Sequence, residues 1–470
     1  MSAPVGALLL ALLAAPDAAE WPRFRGPNGS GISPGAEPLP DRLEPGKNSA
    51  WVRDLPPGIS SPVVAGGRIY ITALRDKDLL TIALDPKSGA VLWERKAPAE
   101  RIEDTHSTSS PAAATPAADD RRVVSFFGSY GLIAYDADGK EIWNLPLAPL
   151  NNPFGAASSP VIAGDLVILN CDQDRGSFLI ALDKATGKKR WRIERPQFPR
   201  GYSTPILWER GGRTEIVVPG TLELKGYAID DGREVWSAGG LARIVNPTAF
   251  LGGGLLYVAS FSPGGDAGER ITMPSFEEYT AANDADKDGR LVNAEVPAGE
   301  MKNRFLQLDA DKDSFITRAE WENMARIFDA AKNGIMGFRP DGERVAKAWE
   351  YARGVPYVSS PIYHDGTVYM VKDGGIFTSL RAGTGELVKQ ARLPAGGNYY
   401  ASPVIGDGKI YVASLAGELT TIAAKPEWEV LASSPLGEGC AATPAIAGGR
   451  IYVRTEKRLL AFEVSGEPAR

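Results

Sequence analysis

The chain has 470 residues, of which 43% are hydrophobic, and its formal net charge is −6. This composition is that of a folded protein with a large core, and the acidic balance argues against a general nucleic-acid-binding protein. The 52 glycines and 36 prolines follow no Gly-x-y period, so collagen is excluded and many tight turns are expected.

The N-terminal segment carries one compact apolar run. Residues 6–15 are all glycine, alanine or leucine, and the small residues Ala18 and Ala19 follow. Such a run is too short to span a bilayer but suits the core of a secretory signal. We therefore expect residues 1–19 to be a signal peptide and the protein to be periplasmic or extracellular. No other stretch predicts a transmembrane segment.

A Ser-Pro or Thr-Pro pair that opens an apolar strand recurs along the chain, mostly every 40 to 50 residues. Each pair is followed by a glycine-containing turn and an alternating strand. Short strands at this period are typical of a propeller, in which each repeat forms one four-stranded blade. The pairs are Ser61-Pro62, Ser110-Pro111, Ser159-Pro160, Thr204-Pro205, Ser360-Pro361, Ser402-Pro403 and Thr443-Pro444, with Asn246-Pro247 in the remaining slot.

One tryptophan stands late in most repeats, at the same register. A cofactor cage is one interpretation of these rings, but a large aromatic residue once per blade is how neighbouring blades fill the wedge between them. The sequence therefore favours a structural role. The tryptophans are Trp93, Trp143, Trp191, Trp236 and Trp349.

The last unit, from Thr443 to Val464, contains only three strands. The segment Ser49–Arg53 resembles the tryptophan-bearing strands and can complete that unit, which removes the exposed edges of an open ring. We therefore predict an all-β, eight-bladed propeller closed by an N-terminal strand. Its two parts are residues 20–264 and 334–470, and an α-helical insertion in the fifth blade covers residues 265–333.

Two segments carry a family resemblance. Residues 181–191 and 159–162 resemble the pyrroloquinoline-quinone (PQQ)-like repeat, and residues 21–31 resemble the opening of exported bacterial PQQ-binding-like propeller proteins. The resemblance covers nearly all of the mature chain outside the insertion. It implies the propeller fold but not one activity, because such repeats occur in quinone dehydrogenases and in a non-catalytic propeller that helps to assemble outer-membrane proteins.

The insertion contains two twelve-residue acidic loops. Between Met273 and Phe328 there are 12 acidic and 7 basic residues, so nearly all of the net charge lies here. Acids at loop positions 1, 3, 5 and 12, with a backbone carbonyl at position 7, match the calcium ligands of an EF-hand. The predicted ligands are Asp284, Asp286, Asp288, Arg290 (carbonyl) and Glu295 in loop one, and Asp309, Asp311, Asp313, Phe315 (carbonyl) and Glu320 in loop two.

The flanks of the loops agree with a compact EF-hand pair. Ser275 and Glu278 form a capping box before loop one, and Leu291 and Ile316 are apolar at position 8, as expected if the loops pair. Loop two has Ser314 where the turn favours glycine, so its ion should bind more weakly. Two Ca²⁺ ions are therefore expected, and a structural role is favoured over a switch since calcium is abundant outside the cell.

The chain shows little sign of a quinone site. Quinone dehydrogenases of this fold hold the cofactor against a disulfide of adjacent cysteines, whereas Cys171 and Cys440 stand apart here. PQQ is therefore not expected as a cofactor. A disulfide between the two cysteines is an alternative to two buried thiols. Common hydrolase, zinc-protease and phosphate-loop motifs are absent from the sequence, and we assign no catalytic residue.

A topological argument points to one end of the propeller. The connection into the innermost strand and the connection from second to third strand lie on the same face, so the insertion shares that face with the segments before each repeat proline. A small polar ligand, a saccharide, a peptide or a partner protein could bind at this mouth. The candidate residues are His106, Asn151, Asn152, Phe154, Arg200, Tyr202, Arg243, Asn246, Asn398, Tyr399 and Tyr400.

Three functions remain open at this point. The favoured one is an exported, monomeric, non-catalytic propeller that binds a protein or small ligand and carries a calcium-binding EF-hand pair. The second is an envelope or extracellular enzyme, carbohydrate-active for example, that uses residues of the mouth. The third is a divergent quinoprotein dehydrogenase.

Overall fold

The protein is an eight-bladed propeller of four-stranded antiparallel sheets. The computed structural model describes residues 17, 19–147, 150, 152–266, 268 and 270–464. The expected signal segment, residues 1–19, lies almost entirely outside the described residues. None of the helices in the described part is both long and apolar enough to cross a membrane.

The N-terminal strand is β1 (Ser49–Asp54), and the first four blades follow in chain order. Blade 1 consists of β2 (Val63–Ala65), β3 (Arg68–Arg75), β4 (Asp78–Leu84) and β5 (Val91–Lys96). Blade 2 consists of β6 (Ala117–Ala118), β7 (Arg122–Phe127), β8 (Gly131–Asp136) and β9 (Glu141–Pro146). Blade 3 consists of β10 (Val161–Ala163), β11 (Leu166–Cys171), β12 (Phe178–Asp183) and β13 (Lys189–Glu194). Blade 4 consists of β14 (Ile206–Arg210), β15 (Arg213–Pro219), β16 (Glu223–Ala228) and β17 (Glu234–Gly239).

Blade 5 is interrupted by the insertion. It consists of β18 (Phe250–Gly252), β19 (Leu255–Ser260), β22 (Gly334–Asp341) and β23 (Arg344–Tyr351), so the insertion separates its second and third strands. Blade 6 consists of β24 (Ile362–His364), β25 (Thr367–Lys372), β26 (Ile376–Arg381) and β27 (Leu387–Arg392). Blade 7 consists of β28 (Val404–Gly406), β29 (Lys409–Ala413), β30 (Glu418–Ala423) and β31 (Val430–Pro435). Blade 8 consists of β32 (Ala445–Ala447), β33 (Arg450–Arg454), β34 (Arg458–Phe462) and the N-terminal β1.

The strand β1 pairs antiparallel with β34, with Arg53 opposite Leu459. The indole N–H of Trp51 donates to the carbonyl of Pro86 at 3.0 Å, across the junction with blade 1. Its ring lies on Gly89, where a Cβ would come within 2.5 Å of the indole. Since Gly89 also has a φ of +67°, only glycine fits beneath the ring.

Four other tryptophans repeat this contact. In blades 1, 2, 3 and 5 the indole N–H donates to a carbonyl of the next blade, and the ring covers a glycine turn there. The structural interpretation of the tryptophans is therefore correct for these blades. Trp236 is the exception, because its N–H donates to Glu215 of its own blade at 2.6 Å. The residues in the repeated contact are Trp93, Trp143, Trp191 and Trp349.

A ring of hydroxyls explains why serine or threonine precedes each innermost strand. The backbone N–H of one such residue donates to the hydroxyl of its counterpart in the next blade, at 2.9–3.0 Å, and seven of these bonds occur among the described residues. We call this set the hydroxyl ring. Its eight members are Ser61, Thr115, Ser159, Thr204, Thr248, Ser360, Ser402 and Thr443.

The hydroxyl ring corrects two repeat assignments. In blade 2 the strand-opening pair is Thr115-Pro116, five residues after the predicted Ser110-Pro111. In blade 5 the position belongs to Thr248, two residues after Asn246, and a proline is missing there. Both errors arose because a neighbouring proline offered a similar local pattern, whereas the contact between blades fixes the register.

The segment before β1 crosses the central channel. Trp21 pairs with Val64 of blade 1, and the carbonyl of Gly31 accepts from the backbone N–H of Ile405 in blade 7. Between them, Arg25 is fully buried and donates to the carbonyls of Ser360 and Pro361 in blade 6, both at 2.7 Å. Arg23 donates to the carbonyl of blade-4 Pro205 at 2.9 Å. This segment therefore contacts blades 1, 4, 6 and 7.

The insertion forms a small unit with its own core. Its elements are α1 (Phe276–Asn283), β20 (Leu291–Val292), α2 (Glu300–Asn303), α3 (Phe305–Leu308), β21 (Phe315–Ile316) and α4 (Arg318–Ala330). Aromatic and aliphatic side chains from all of these elements except α2 are buried together. The predicted capping box of Ser275 and Glu278 is present, and Thr317 with Glu320 forms a second box at the start of α4.

Candidate functional site

The two acidic loops of the insertion have the same local geometry. In each, the backbone N–H at position 6 donates to the carboxylate at position 1, from Gly289 to Asp284 at 3.0 Å and from Ser314 to Asp309 at 3.1 Å. The backbone N–H at position 5 donates to the carboxylate at position 3 in both loops, at 3.1 Å. Each backbone is therefore wrapped around its own carboxylates, which leaves the other carboxylate oxygens directed towards one centre.

Several carboxylate oxygens lack a partner at those centres. The Oδ1 atoms of Asp284 and Asp309 are buried without a hydrogen bond, and Asp309 is only 4% exposed. Burial raises the pKa of Asp309, and the nearby carboxylates of Glu320 and Asp313 raise it further. A cation would supply the missing interaction, because unpaired buried carboxylate oxygens are costly.

Ligand atoms converge closely in both loops. One oxygen each of Asp284, Asp286 and Glu295 lie within 4.8 Å of one another, as do oxygens of Asp309, Asp311 and Asp313. The two clusters could therefore each hold a metal ion. Oxygen-only ligand sets of this kind suit a hard divalent cation.

Two predicted side-chain ligands, Asp288 of loop one and Glu320 of loop two, are not members of these clusters. Asp288 accepts from the backbone N–H of Arg290 at 2.8 Å and pairs with its guanidinium at 2.9 Å. The backbone N–H of Phe315 donates to Asp313 at 2.8 Å. Glu320, at position 12, accepts from the backbone N–H of Ala310 at 2.8 Å, so its carboxylate already reaches back over the loop.

The loops are joined by a two-residue antiparallel ladder. Leu291 lies opposite Ile316, and both are fully buried. Ser314 has a φ of +74°, close to the +79° of Gly289 at the same position of loop one. A serine therefore adopts the left-handed conformation that the turn requires, at the steric cost expected for a residue with a Cβ.

The insertion is held against the propeller at its base, at loop two and through Arg243, whose guanidinium donates to Gln307 at 3.4 Å and lies 5.5 Å from the ring centroid of Phe328. At its base, the amide of Asn333 exchanges hydrogen bonds with the backbone of Ser262 at 2.8 and 3.1 Å. At loop two, the guanidinium of Arg175 from blade 3 donates to the backbone carbonyl of Asp311. Loop two therefore touches the propeller directly, through a carbonyl inside the acidic loop.

The mouth of the propeller encloses a cavity of about 380 Å³. Its wall includes seven members of the hydroxyl ring, and Phe24 of the channel-crossing segment also lines it. The rim carries five rings, of which His106 and Phe154 lie 4.9 Å apart and Phe154 and Tyr202 meet edge to face at 6.1 Å. The other two are Tyr357 and Tyr400.

The cavity gathers part of the predicted face. His106, Phe154, Tyr202, Asn246 and Tyr400 line it. Asn152 lies behind the rim and accepts the hydroxyl of Tyr202 through its Oδ1.

Other predicted residues lie elsewhere. Arg200 and Arg243 line a cleft beneath the insertion, where Arg200 pairs with Asp174 at 2.7 Å. Asn398 is exposed and does not line the cavity. Tyr399 is wrong as a mouth residue, because it is 1% exposed within the core and donates to Ala395. Asn151 lies outside the described residues.

Sequence reasoning missed Phe24, Tyr357 and the hydroxyl ring as cavity residues. The repeated serine or threonine was visible as a pattern, but only as a marker of strand starts. The position of Phe24 had no local signal, since it depends on the N-terminal segment crossing the channel. Tyr357 follows the insertion and could have been found only by aligning its blade with the others.

The mouth does not fit pyrroloquinoline quinone, which carries three carboxylates. The described residues that line the cavity include no lysine or arginine, so the imidazole of His106 would be the one cationic partner for three carboxylates. Cys171 and Cys440 are separate buried thiols, and burial raises the pKa of both. They form neither a disulfide with each other nor a part of the cavity.

Comparison with known proteins agrees with this architecture. The family model described as outer membrane protein assembly factor BamB matches residues 43–209, 81–323 and 222–465. The chain belongs to this family of PQQ-like repeat propellers. Among curated proteins, none matches the sequence significantly.

Solved structures show the same fold at low sequence identity. BamB from Moraxella catarrhalis is 14% identical with a TM-score of 0.53, over 90% of this chain and 99% of that one. The computationally designed protein Ika8 is 10% identical with a TM-score of 0.51, over 88% and 100%. A europium-containing methanol dehydrogenase is 12% identical with a TM-score of 0.50, over 95% and 98%. These likenesses establish the fold, and function has to be argued from the site.

Proposed function

We propose that the protein is an exported, non-catalytic binding propeller whose insertion holds two calcium ions in an EF-hand pair. The observation that carries the calcium assignment is the unpartnered Oδ1 at position 1 of each loop, above all that of the buried Asp309. The converging carboxylate oxygens, the position-6 backbone and the ladder between the loops support this assignment. On this proposal the ions are structural, since loop two is already in contact with the propeller.

Calcium titration by calorimetry tests the metal assignment. The chain from residue 20 onward, stripped with EDTA, should bind two ions, and loop one should bind more tightly because Gly289 suits its turn. Glu295→Gln should abolish only the first site and Glu320→Gln only the second. Glu322→Gln, on an exposed acid of α4, is the matched control and should leave both sites intact. A single weak calcium-binding transition that is the same in all three variants would contradict the proposal.

The binding role of the propeller rests on the mouth cavity. It combines aromatic rings with a wall of hydroxyls, and its one histidine, His106, pairs with the hydroxyl of Thr108 and has no carboxylate beside it among the described lining residues. The description of the family model as an assembly factor is consistent with a protein that works by binding. Cell fractionation with an antibody against the folded chain tests export. An exported protein should be found outside the cytoplasm and should be shortened at its N-terminus.

A further inference from the structure

The hydroxyl ring leaves a set of hydrogen-bond donors unused. Seven of its hydroxyls accept a backbone N–H from the neighbouring blade, and these seven line the mouth cavity. A serine or threonine hydroxyl has one proton to donate in addition to its lone pairs. Among the described residues none of these seven donates to a protein acceptor, so their protons are available to a ligand in the cavity.

One acceptor of the cavity is also unused. The Nδ2 of Asn246 donates to the carbonyl of Tyr357 at 2.9 Å, which fixes the orientation of the amide. The Oδ1 of the same side chain is buried and lacks a partner. A complementary ligand therefore needs several oxygen acceptors for the ring and at least one donor for Asn246.

The rest of the lining restricts the ligand further. None of the described lining residues is Asp, Glu, Lys or Arg, and His106 is the one basic side chain there, so a charged ligand would lose its hydration for at most one counter-charge. A purely apolar ligand would leave the hydroxyl protons and Asn246 unpaired. The aromatic side chains of the rim would pack against a flat apolar surface of the ligand. The cavity volume of about 380 Å³ is that of a site for a small molecule.

We infer that the mouth cavity binds an uncharged saccharide unit. The oxygen atoms of the sugar accept hydrogen bonds from the hydroxyls of the hydroxyl ring, and one sugar hydroxyl donates to the Oδ1 of Asn246. The C–H face of the sugar packs on Phe154 and the neighbouring aromatic rings of the rim. This inference rests on the proposed binding role of the mouth and names the ligand class for it.

Ligand-observed NMR and calorimetry with glucose, N-acetylglucosamine and maltose test this inference, with glucuronate as the charged match to glucose. At least one neutral sugar should bind with a Kd of about 1 mM or below, and glucuronate should bind about tenfold more weakly than glucose. Asn246→Ala and Phe154→Ala should each weaken the binding about tenfold. Asn144→Ala, at an exposed asparagine of β9 outside the cavity, is the control and should change nothing.

The outcomes separate the inference from the proposed function. The saccharide assignment is overturned if no neutral sugar binds, if glucuronate binds as tightly as glucose, or if sugar binding survives both cavity variants. Glucuronate binding that Phe154→Ala removes would keep the mouth as a binding site and overturn only the ligand class. The calcium titration on the same preparations reports on the insertion independently, and thermal unfolding shows that each variant is folded.

Discussion

The backbone N–H of Thr443 donates to the Oγ of Ser61 at 3.0 Å, and this bond joins the last blade to the first. The same junction carries the buried guanidinium of Arg454, which donates to the Oγ of Ser60 and the carbonyl of Thr72, both at 2.6 Å. The bond between Thr443 and Ser61 closes the circle of blades at its inner wall, and the pairing of β1 with β34 completes blade 8 at the outer edge. The hydroxyl ring thus connects blades and forms the wall of the mouth at once.

Loss of the Ser61 hydroxyl should weaken the closed ring. Ser61→Ala leaves the buried N–H of Thr443 without an acceptor, which should lower the free energy of unfolding by about 1–3 kcal/mol. Urea denaturation of the variant and the parent chain measures the difference. Ser107→Ala, at an exposed serine near the mouth, should change the stability by less than about 0.5 kcal/mol. Equal effects from the two substitutions would show that the hydroxyl ring does not hold the junction.

The fold class could be predicted because the repeat is periodic and each period contains the same strand and turn signals. The register of blades 2 and 5 could not be predicted. In blade 2, Ser110-Pro111 and Thr115-Pro116 lie five residues apart, and the three positions between Pro111 and Thr115 are all alanine. Both pairs satisfy the local pattern of an innermost strand. Only the bonds from Thr115 to Ser61 and Ser159 identify the correct pair, and those partners are 54 and 44 residues away.

The caps, the ladder and the acidic clusters of the insertion could be predicted, whereas the mouth could be predicted only in part. The carboxylate positions of each loop follow from spacing within twelve residues, so local sequence determines the geometry. At the mouth, Tyr399 is buried in the core while the adjacent Tyr400 lines the cavity. Which of two neighbouring tyrosines faces the channel depends on the register of the whole blade, and the unused hydroxyl protons become evident only when every partner is known.

On the proposed calcium role of the insertion, a substitution at position 6 of loop two should strengthen ion binding there. Ser314 holds a φ of +74°, which costs a residue with a Cβ roughly 1 kcal/mol relative to glycine. Ser314→Gly should therefore raise the calcium affinity of loop two about fivefold, measured by calorimetry. The reciprocal change Gly289→Ser should weaken loop one by a similar factor. If both variants keep the parent affinities, backbone strain does not set the difference between the loops.

The contact between loop two and blade 3 should limit the motion of the insertion. Arg175→Ala removes the guanidinium that donates to the carbonyl of Asp311, while the base contact of Asn333 with Ser262 stays. Amide hydrogen exchange within residues 309–316 should become about three- to tenfold faster, without change in distant blades. Arg190→Ala, which breaks an exposed pair with Asp183, is the control and should leave this segment unaffected. Unchanged exchange would mean that the base and Arg243 position the insertion without Arg175.

A buried carboxyl beside the mouth should make stability depend on pH. Glu103 lies against Gly128 and Gly155, and burial raises its pKa from 4.5 to about 7, against a smaller opposing effect of the Ala156 backbone amide. The folded state therefore holds this proton more tightly than the unfolded state does. Consequently the stability of the protein should fall as the pH rises from about 4.5 to about 7 and then remain at the lower level.

The variant Glu103→Gln removes this titration, because glutamine stays neutral at every pH. Relative to the parent it should be more stable by roughly 1–2 kcal/mol near pH 8, and the difference should vanish near pH 4, where the parent carboxyl is protonated in both states. Urea unfolding at both pH values measures this. Glu100→Gln, at an exposed neighbour, should show no such trend. A gain for Glu103→Gln that is equal at both pH values would mean that packing, and not the carboxyl charge, determines the effect.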